Sequence, residues 1–157
     1  STVDSYKTYL IGGFMVVEYL LGSFLKFDMK GFTQHQIQSM NNYERLLIDV
    51  PVNLLQTTKN SYSSFHLCVI RLKNESKTFH KNVFEHLRAN QIGVQLHYLP
   101  VHLHPYYRDL GFKEGDFPEA ELYSRNAISI PIFPGLTKKK QEYIVSKIND
   151  SIIKFST

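Results

Sequence analysis

The sequence predicts an α/β or α+β fold in which helices pack on a small sheet. From residue 65 onward, strand-type and helix-type apolar patterns alternate three times. The chain has 157 residues, 43% of them hydrophobic, which is enough for one packed core. Two helical patterns precede the alternation. We therefore expect a single domain over residues 1–157, with a helical N-terminal segment at 1–55 and the sheet-containing part at 60–157.

Residues 1–55 carry the two helical patterns. From Leu10 to Leu25 only Glu18 is charged, but the stretch is shorter than the ~20 apolar residues of a membrane span, so a buried helix or a subunit contact is favoured. The second helix should end near Asp49, because Pro51 disfavours helix at the residue before it. Its apolar side consists of Ile37, Met40, Tyr43, Leu46 and Leu47.

Residues 65–98 carry a strand, a helix and a second strand. The run FHLCVIRL at residues 65–72 is apolar and bounded by turn residues, which is typical of a buried strand. Residues 75–90 have the helical spacing, and Gly93 is a candidate C-terminal break. Residues 94–98 are predicted to form the second strand.

The C-terminal part is predicted from start and stop signals. A short helical turn is expected at residues 104–110, and a helix at 118–125 with Pro118 near its first turn. A third strand at 127–130 should be halted by Pro131. Thr137 is placed to cap the last helix. The apolar stripe of that helix is Ile144, Val145, Ile148, Ile152 and Ile153.

Composition and charge exclude several classes of protein. Aromatic residues make up 13% of the chain and the net charge is only +4, which does not fit a disordered chain. Cys68 is the only cysteine, so a disulfide scaffold is excluded, and its place in an apolar strand predicts an inert core thiol. With no signal peptide recognised, we expect a cytoplasmic protein. Residues 137–157 carry +3 of the net charge of +4, and a solvated helix start is the favoured interpretation, so neither nucleic acid nor membrane is an expected partner.

Three histidines lie close together in the segment HYLPVHLHPYYRDLG. A metal site is disfavoured, because Pro100 and Pro105 interrupt any helical spacing of His97, His102 and His104. A substrate-binding loop is the better interpretation, since open sheets place ligands beyond strand ends and these side chains offer hydrogen bonds.

The residue types leave some roles open. His97, Tyr98 and His102 fit a ligand site and an ordinary loop equally well, whereas His104, Tyr106 and Tyr107 are expected to be ordinary loop residues. Glu119 and Glu121 lie two positions apart on a predicted helix and do not face each other, so a favourable interaction with the helix dipole is sufficient to explain them.

Residues 92–144 resemble the C-terminal part of the DegT/DnrJ/EryC1/StrS family of sugar aminotransferases. Three segments carry the likeness in the family's order: H-Y-L-P-V-H at 97–102, G-D-F-P-E-A-E at 115–121 and S-I-P-I-F-P-G-L-T at 129–137. The strand SSFHLCVIRL also matches. The H-Y-x-P-V-H form is most similar to the branch that acts on UDP-linked 4-keto-6-deoxy amino sugars, the UDP-4-amino-4,6-dideoxy-N-acetyl-β-L-altrosamine transaminases.

The resemblance implies the small domain of a type I pyridoxal-phosphate-dependent fold. Such enzymes are homodimers that transfer an amino group, usually from glutamate, to a nucleotide-linked keto sugar in surface polysaccharide or glycan biosynthesis. The cofactor is pyridoxal 5′-phosphate, held by a lysine. By this match His97, Tyr98 and His102 become the substrate-binding candidates. Catalytic and cofactor-binding residues stay unassigned, although Lys7 before Gly12-Gly13 is faintly similar to the family's lysine segment.

The family is usually well over twice this length, so we expect these 157 residues to lack the family's large domain. Two hypotheses result: a part of an aminotransferase that is inactive alone, or a non-catalytic nucleotide-sugar-binding or dimerisation module. A metal-dependent histidine site is a third.

Overall fold

The computed structural model describes residues 29–55, 63–96 and 98–156, with side chains from residue 34. It divides the chain into two units, residues 1–34 and 35–157. The predicted helix at Leu10–Leu25 and the candidate Lys7 lie outside the described residues. The strands that the structure describes all belong to the second unit.

The elements follow the predicted alternation of strands and helices except at the second predicted strand. Helix α1 (Met29–Leu46) and strand β1 (Val52–Leu54) come first, followed by β2 (Cys68–Leu72) and α2 (Lys77–Ala89). A 3₁₀ turn (Val101–Leu103) leads into α3 (Pro105–Asp109), α4 (Pro118–Asn126), β3 (Ala127–Ile130) and α5 (Lys138–Phe155). The described part is thus an α/β domain with a small sheet, as predicted.

The sheet has three antiparallel strands in the order β1-β2-β3. Ile70 lies opposite both Leu54 and Ile128, so apolar side chains from all three strands come together on one face. The predicted strand at 94–98 is wrong for its described residues: only Gln95 pairs, with Ser129, as an isolated bridge. The chain there leaves the edge of β3 after one residue.

Two long helices are fixed by side-chain caps. Ser76 accepts a hydrogen bond from the Phe79 amide at the start of α2, and Thr137 accepts one from the Lys140 amide at the start of α5, as predicted for Thr137. Asn90 is the C-terminal cap residue of α2, and Gln91 takes the positive φ of 60° that reverses the chain. Gly93 is therefore not the break that the sequence suggested.

The core lies between the sheet and the helices α1, α2 and α5. Its largest fully buried apolar side chains come from five of the elements, because each contributes one stripe or one face: Tyr43, Ile70, Leu72, Val83, Leu87, Ile128 and Ile148. The predicted stripe of α5 is wrong at Ile153, which is 65% exposed.

Buried polar contacts join α1 to α5 and to the end of β3. The Gln141 amide donates to the Ser39 carbonyl at 2.8 Å, and its oxygen accepts from Asn42 at 3.3 Å. The Tyr43 hydroxyl donates to the Pro131 carbonyl at 2.8 Å, and burial raises its pKa. These bonds fix α1 against residues about 90–100 positions later in the chain.

Cys68 is buried at the start of β2, opposite Ile130. Burial raises the pKa of its thiol to about 12, with a smaller contribution from Glu44. The prediction of an inert core thiol is confirmed.

Candidate functional site

The segment around the H-Y-L-P-V-H motif forms a loop, which we call the recognition loop and define as residues 98–104. Bonds within it stiffen it: the Leu103 amide donates to the Pro100 carbonyl at 2.9 Å, and the His104 amide donates to the Val101 carbonyl at 3.1 Å. The His104 ring donates to the Leu99 carbonyl at 3.3 Å, as expected of an ordinary loop residue. His104 then precedes α3, which begins with Pro105.

The three predicted site residues have different surroundings. Tyr98 is 73% exposed, whereas His102 is only 7% exposed. His97 lies outside the described residues, so its place in the site stays a prediction. The structure thus presents one of the three to solvent and holds another inside the protein.

His102 is paired with Glu121 of α4. Its Nε2 lies 2.9 Å from Glu121 Oε1, and the two side chains are 7% and 5% exposed. The same oxygen accepts from the Gly115 amide at 2.7 Å, while Glu121 Oε2 lies 3.8 Å from Arg125. An ionised carboxylate only accepts hydrogen bonds, so the proton of this contact belongs to the imidazole Nε2.

The environment of Glu121 favours its charged form. The Gly115 amide is the largest cause that lowers the pKa of this carboxyl group, and the hydrogen bond from His102 adds to it, against some desolvation. Glu121 is therefore an ionised acceptor near neutral pH. This corrects the expectation that the helix dipole suffices to explain it.

Sequence reasoning missed Glu121 as a member of the site. Its partner is 19 residues away and is reached only through the fold. Two signals were available: its place in the G-D-F-P-E-A-E motif, and its i,i+4 spacing to Arg125.

A row of aromatic rings continues from His102 toward the surface. The His102 ring lies 4.8 Å from that of Phe117, which lies 6.0 Å from Phe112. Phe112 lies 6.3 Å from Tyr107, which in turn lies 5.3 Å from Tyr106 in a T-shaped contact. We call these four rings, Phe117, Phe112, Tyr107 and Tyr106, the aromatic row. All four are exposed, from 37% at Tyr107 to 68% at Tyr106, so they cover little core.

A cleft of about 240 Å³ lies beneath the recognition loop. Leu99, Pro100 and Leu103 form its loop side. Polar groups of α2, α4 and the segment between α3 and α4 form the other side: Lys77, His80, Glu114, Glu121, Ser124 and Arg125. Lys77 and Glu114 are 3.6 Å apart, so the cleft has no strong excess of either charge.

A second groove, of about 630 Å³, lies between the ends of α2 and β3 and the start of α5. Phe133, Lys140 and Tyr143 line it, and the Tyr143 hydroxyl donates to the Asn90 carbonyl at 3.3 Å. It holds none of the predicted site residues.

No metal site is found among the described residues. Across 29–55, 63–96 and 98–156, no three His, Cys, Asp or Glu side chains are arranged to hold an ion. A search of the same ranges finds no helix that is long and apolar enough to span a membrane.

Comparison with known proteins gives the family. The model of the DegT/DnrJ/EryC1/StrS aminotransferase family matches residues 25–149. A pleiotropic regulatory protein of Geobacillus stearothermophilus is 35% identical over 123 residues, which is 74% of this chain and 31% of that protein. The spore coat polysaccharide biosynthesis protein SpsC of Bacillus subtilis is 36% identical over 62 residues, or 39% of this chain and 16% of SpsC.

A solved structure gives the fold. PseC of Helicobacter pylori, an aminotransferase involved in the biosynthesis of pseudoaminic acid, superposes with a TM-score of 0.72 at 24% identity. The match covers 80% of this chain and 34% of PseC. The chain thus spans about a third or less of the length of these proteins, and its fold is one found in aminotransferases.

Proposed function

This chain belongs to the DegT/DnrJ/EryC1/StrS aminotransferase family, and from that premise we propose that it is the C-terminal small domain of a sugar aminotransferase. Its contribution is to recognise a nucleotide-linked keto sugar through the recognition loop. The observation that carries the proposal is the position of Tyr98, exposed on a loop whose His102 is held by Glu121. A phenol presented this way offers both a flat face and a hydroxyl to a polar ligand.

The described residues do not form a site for pyridoxal phosphate. A Schiff base needs an amine that can lose its proton in a sheltered position. Among the lysines whose side chains are described, all are exposed except the partly buried Lys147, whose pKa is raised by its hydrogen bond to Asp150. We therefore propose that residues beyond those described hold the cofactor.

The experiment is a binding titration of the 157-residue chain followed by ¹H–¹⁵N NMR. UDP-N-acetylglucosamine is the probe, and glucose 1-phosphate and free UMP test which half of the probe is recognised. We expect shifts at amides of the recognition loop, and affinity about tenfold weaker in Tyr98→Ala. Tyr106→Ala is the matched control, because Tyr106 is similarly exposed at 68%. Equal effects of the two substitutions, or no shifts at the loop, would contradict the proposal.

The chemistry is tested by a transamination assay of the 157-residue chain. We propose glutamate as the amino donor and a UDP-linked 4-keto-6-deoxy amino sugar as acceptor, supported by the H-Y-L-P-V-H form and by the likeness to PseC. A role in polysaccharide biosynthesis is supported by the likeness to SpsC. The 157 residues alone should release no 2-oxoglutarate from glutamate and keto sugar. Release by these residues alone would refute the incomplete-enzyme proposal.

The aromatic row favours a second candidate function, as a dimerisation module. Exposed aromatic side chains in a contiguous set are typical of protein contact surfaces. Light scattering of the chain and of Phe112→Ser measures this directly. A dimer that dissociates in Phe112→Ser supports the module, and a monomer at all concentrations removes it.

A further inference from the structure

We propose that Glu121 is a positioning residue for substrate recognition: it holds His102 in one tautomer and one orientation, and thereby fixes the loop that carries Tyr98. The inference rests on the proposed function, because positioning matters only if the recognition loop meets a ligand. It assigns a role to a residue on α4, outside the loop itself.

The first step is the sharing of one carboxylate oxygen. Glu121 Oε1 accepts from His102 Nε2 at 2.9 Å and from the Gly115 amide at 2.7 Å. Two donors on different segments thus meet at a single acceptor on α4. The carboxylate joins the recognition loop to the turn before α4, so that neither can shift without lengthening a charge-assisted bond.

The second step concerns the histidine tautomer. Because Glu121 accepts and cannot donate, the neutral imidazole carries its hydrogen on Nε2. Its Nδ1 is then an acceptor. The tilted contact of the ring with Phe117, with ring centroids 4.8 Å apart, limits rotation about the side-chain bonds. Orientation and protonation of His102 are therefore both set by groups on or next to α4.

The third step is that apolar packing does not hold the loop by itself. The cleft of about 240 Å³ runs beneath Leu99, Pro100 and Leu103. A loop over an open cleft lacks the close contacts that fix side chains in a core. Glu121 lines this cleft, and its bond to His102 gives the loop a directional connection on the side where it lies over open space.

The fourth step is that α4, the helix that carries Glu121, is itself held in place by hydrogen bonds. The Glu121 amide donates to the Phe117 carbonyl at 3.1 Å within the first turn of α4. At the other end of the helix, Asn126 accepts from Arg71 of β2 at 3.2 Å. Glu121 thus connects the recognition loop to a helix that is itself bonded to the central strand.

The test uses the 157-residue chain with Glu121→Gln, Glu121→Ala and the control Glu119→Ala. Glu119 is an exposed carboxylate on the same helix. Without ligand, ¹⁵N NMR of the His102 ring should show the hydrogen on Nε2 in the unchanged chain and in Glu119→Ala. In Glu121→Ala both ring nitrogens should approach averaged shifts. In Glu121→Ala the rate of amide hydrogen exchange in the recognition loop should also rise about tenfold relative to that in α5.

With UDP-N-acetylglucosamine as probe, affinity should fall about tenfold in Glu121→Ala. Glu121→Gln should recover most of it, because the amide oxygen still accepts from His102. A purely structural role would lower the melting temperature while leaving the ring nitrogens and the exchange of the loop unchanged. That result overturns the inference. If Glu121→Ala does not fold, the same measurements are made on Glu121→Gln instead.

The two proposals can fail separately. If the unchanged chain shows no response to the probe, nucleotide-sugar recognition by this chain fails, while the ligand-free ring and exchange measurements still decide whether Glu121 positions the loop. If the probe binds and Glu121→Ala binds it equally well, the positioning role alone is refuted.

Discussion

The sheet with its long helices and the segment from residue 98 to 121 are held by different forces. The first region buries apolar stripes of α2 and α5 against the strands, with Val83, Ile128 and Ile148 fully buried. The second exposes most of its large apolar side chains and depends on one buried hydrogen bond, from His102 to the Glu121 carboxylate. Burial fixes a fold through many small contacts, whereas a recognition loop can be fixed by few strong and directional ones.

The largest effect is expected in the first region. Ile148→Ala removes a fully buried side chain of α5 and should lower the free energy of unfolding by about 2–5 kcal/mol. Ile153→Ala on the same helix, 65% exposed, should change it by no more than about 0.5 kcal/mol. Urea unfolding measures both. Similar losses for the pair would mean that α5 does not bury the face described.

A smaller loss is expected at the junction of α1 and β3. Tyr43→Phe leaves the Pro131 carbonyl without its 2.8 Å donor and should cost about 1 kcal/mol. Tyr143→Phe is the control, because its hydroxyl is at the surface and its bond to Asn90 is longer, at 3.3 Å. Thermal unfolding of the two variants should rank them in this order. The reverse order would mean that the Tyr43 bond does not stabilise the junction.

A still smaller loss is expected at the N-terminal cap of α5, where one side-chain hydroxyl accepts one backbone hydrogen bond. Thr137→Ala removes the acceptor for the Lys140 amide and should cost about 0.5–1 kcal/mol. Thr137→Ser keeps a hydroxyl and should lose less. Circular dichroism during urea unfolding gives both values. If serine and alanine behave alike, the hydroxyl contributes nothing measurable here.

The finest comparison uses pH, because protonation of Glu121 should weaken the bonds that it accepts from His102 and Gly115. The folded pKa of Glu121 lies below its ordinary value of 4.5, so its charged form stabilises the native state. This contribution is complete above about pH 4.5 and is lost as the pH falls through the lowered folded value. The melting temperatures of the chain and of Glu121→Gln should therefore differ at pH 7 and converge in acid. Glu119→Gln should show no such convergence, and a constant difference across this range would refute the assignment.

Local signals predicted the elements with clear start and stop residues. Pro118 begins α4, Pro131 ends β3 and Thr137 caps α5, each by chemistry confined to one turn of chain. The short strand β1 was not predicted, since three residues after Pro51 carry too little pattern. Residues 94–98 were predicted as a strand on propensity alone, and pairing at the sheet edge stops after Gln95.

The site was less predictable because its contacts are tertiary. Tyr98 and His102 were chosen from residue type and from family resemblance, which do not distinguish an exposed side chain from a buried one. The distinction depends on Glu121, whose burial results from the docking of α4 and not from its neighbours in sequence. The contact of Gln141 with Ser39 was beyond sequence reasoning for the same reason, since 102 positions separate the two residues.

The single thiol at the start of β2 makes the opening of the sheet measurable without any engineered label. Cys68 is fully enclosed and its pKa is about 12, so a thiol reagent at neutral pH meets almost no reactive sulfur in the closed protein. Modification must wait until an opening of the fold exposes the Cys68 sulfur. The rate of labelling by an aromatic disulfide therefore reports how often the centre of the fold opens, and the substitutions at Ile148, Tyr43 and Thr137 can be ranked by that rate alone.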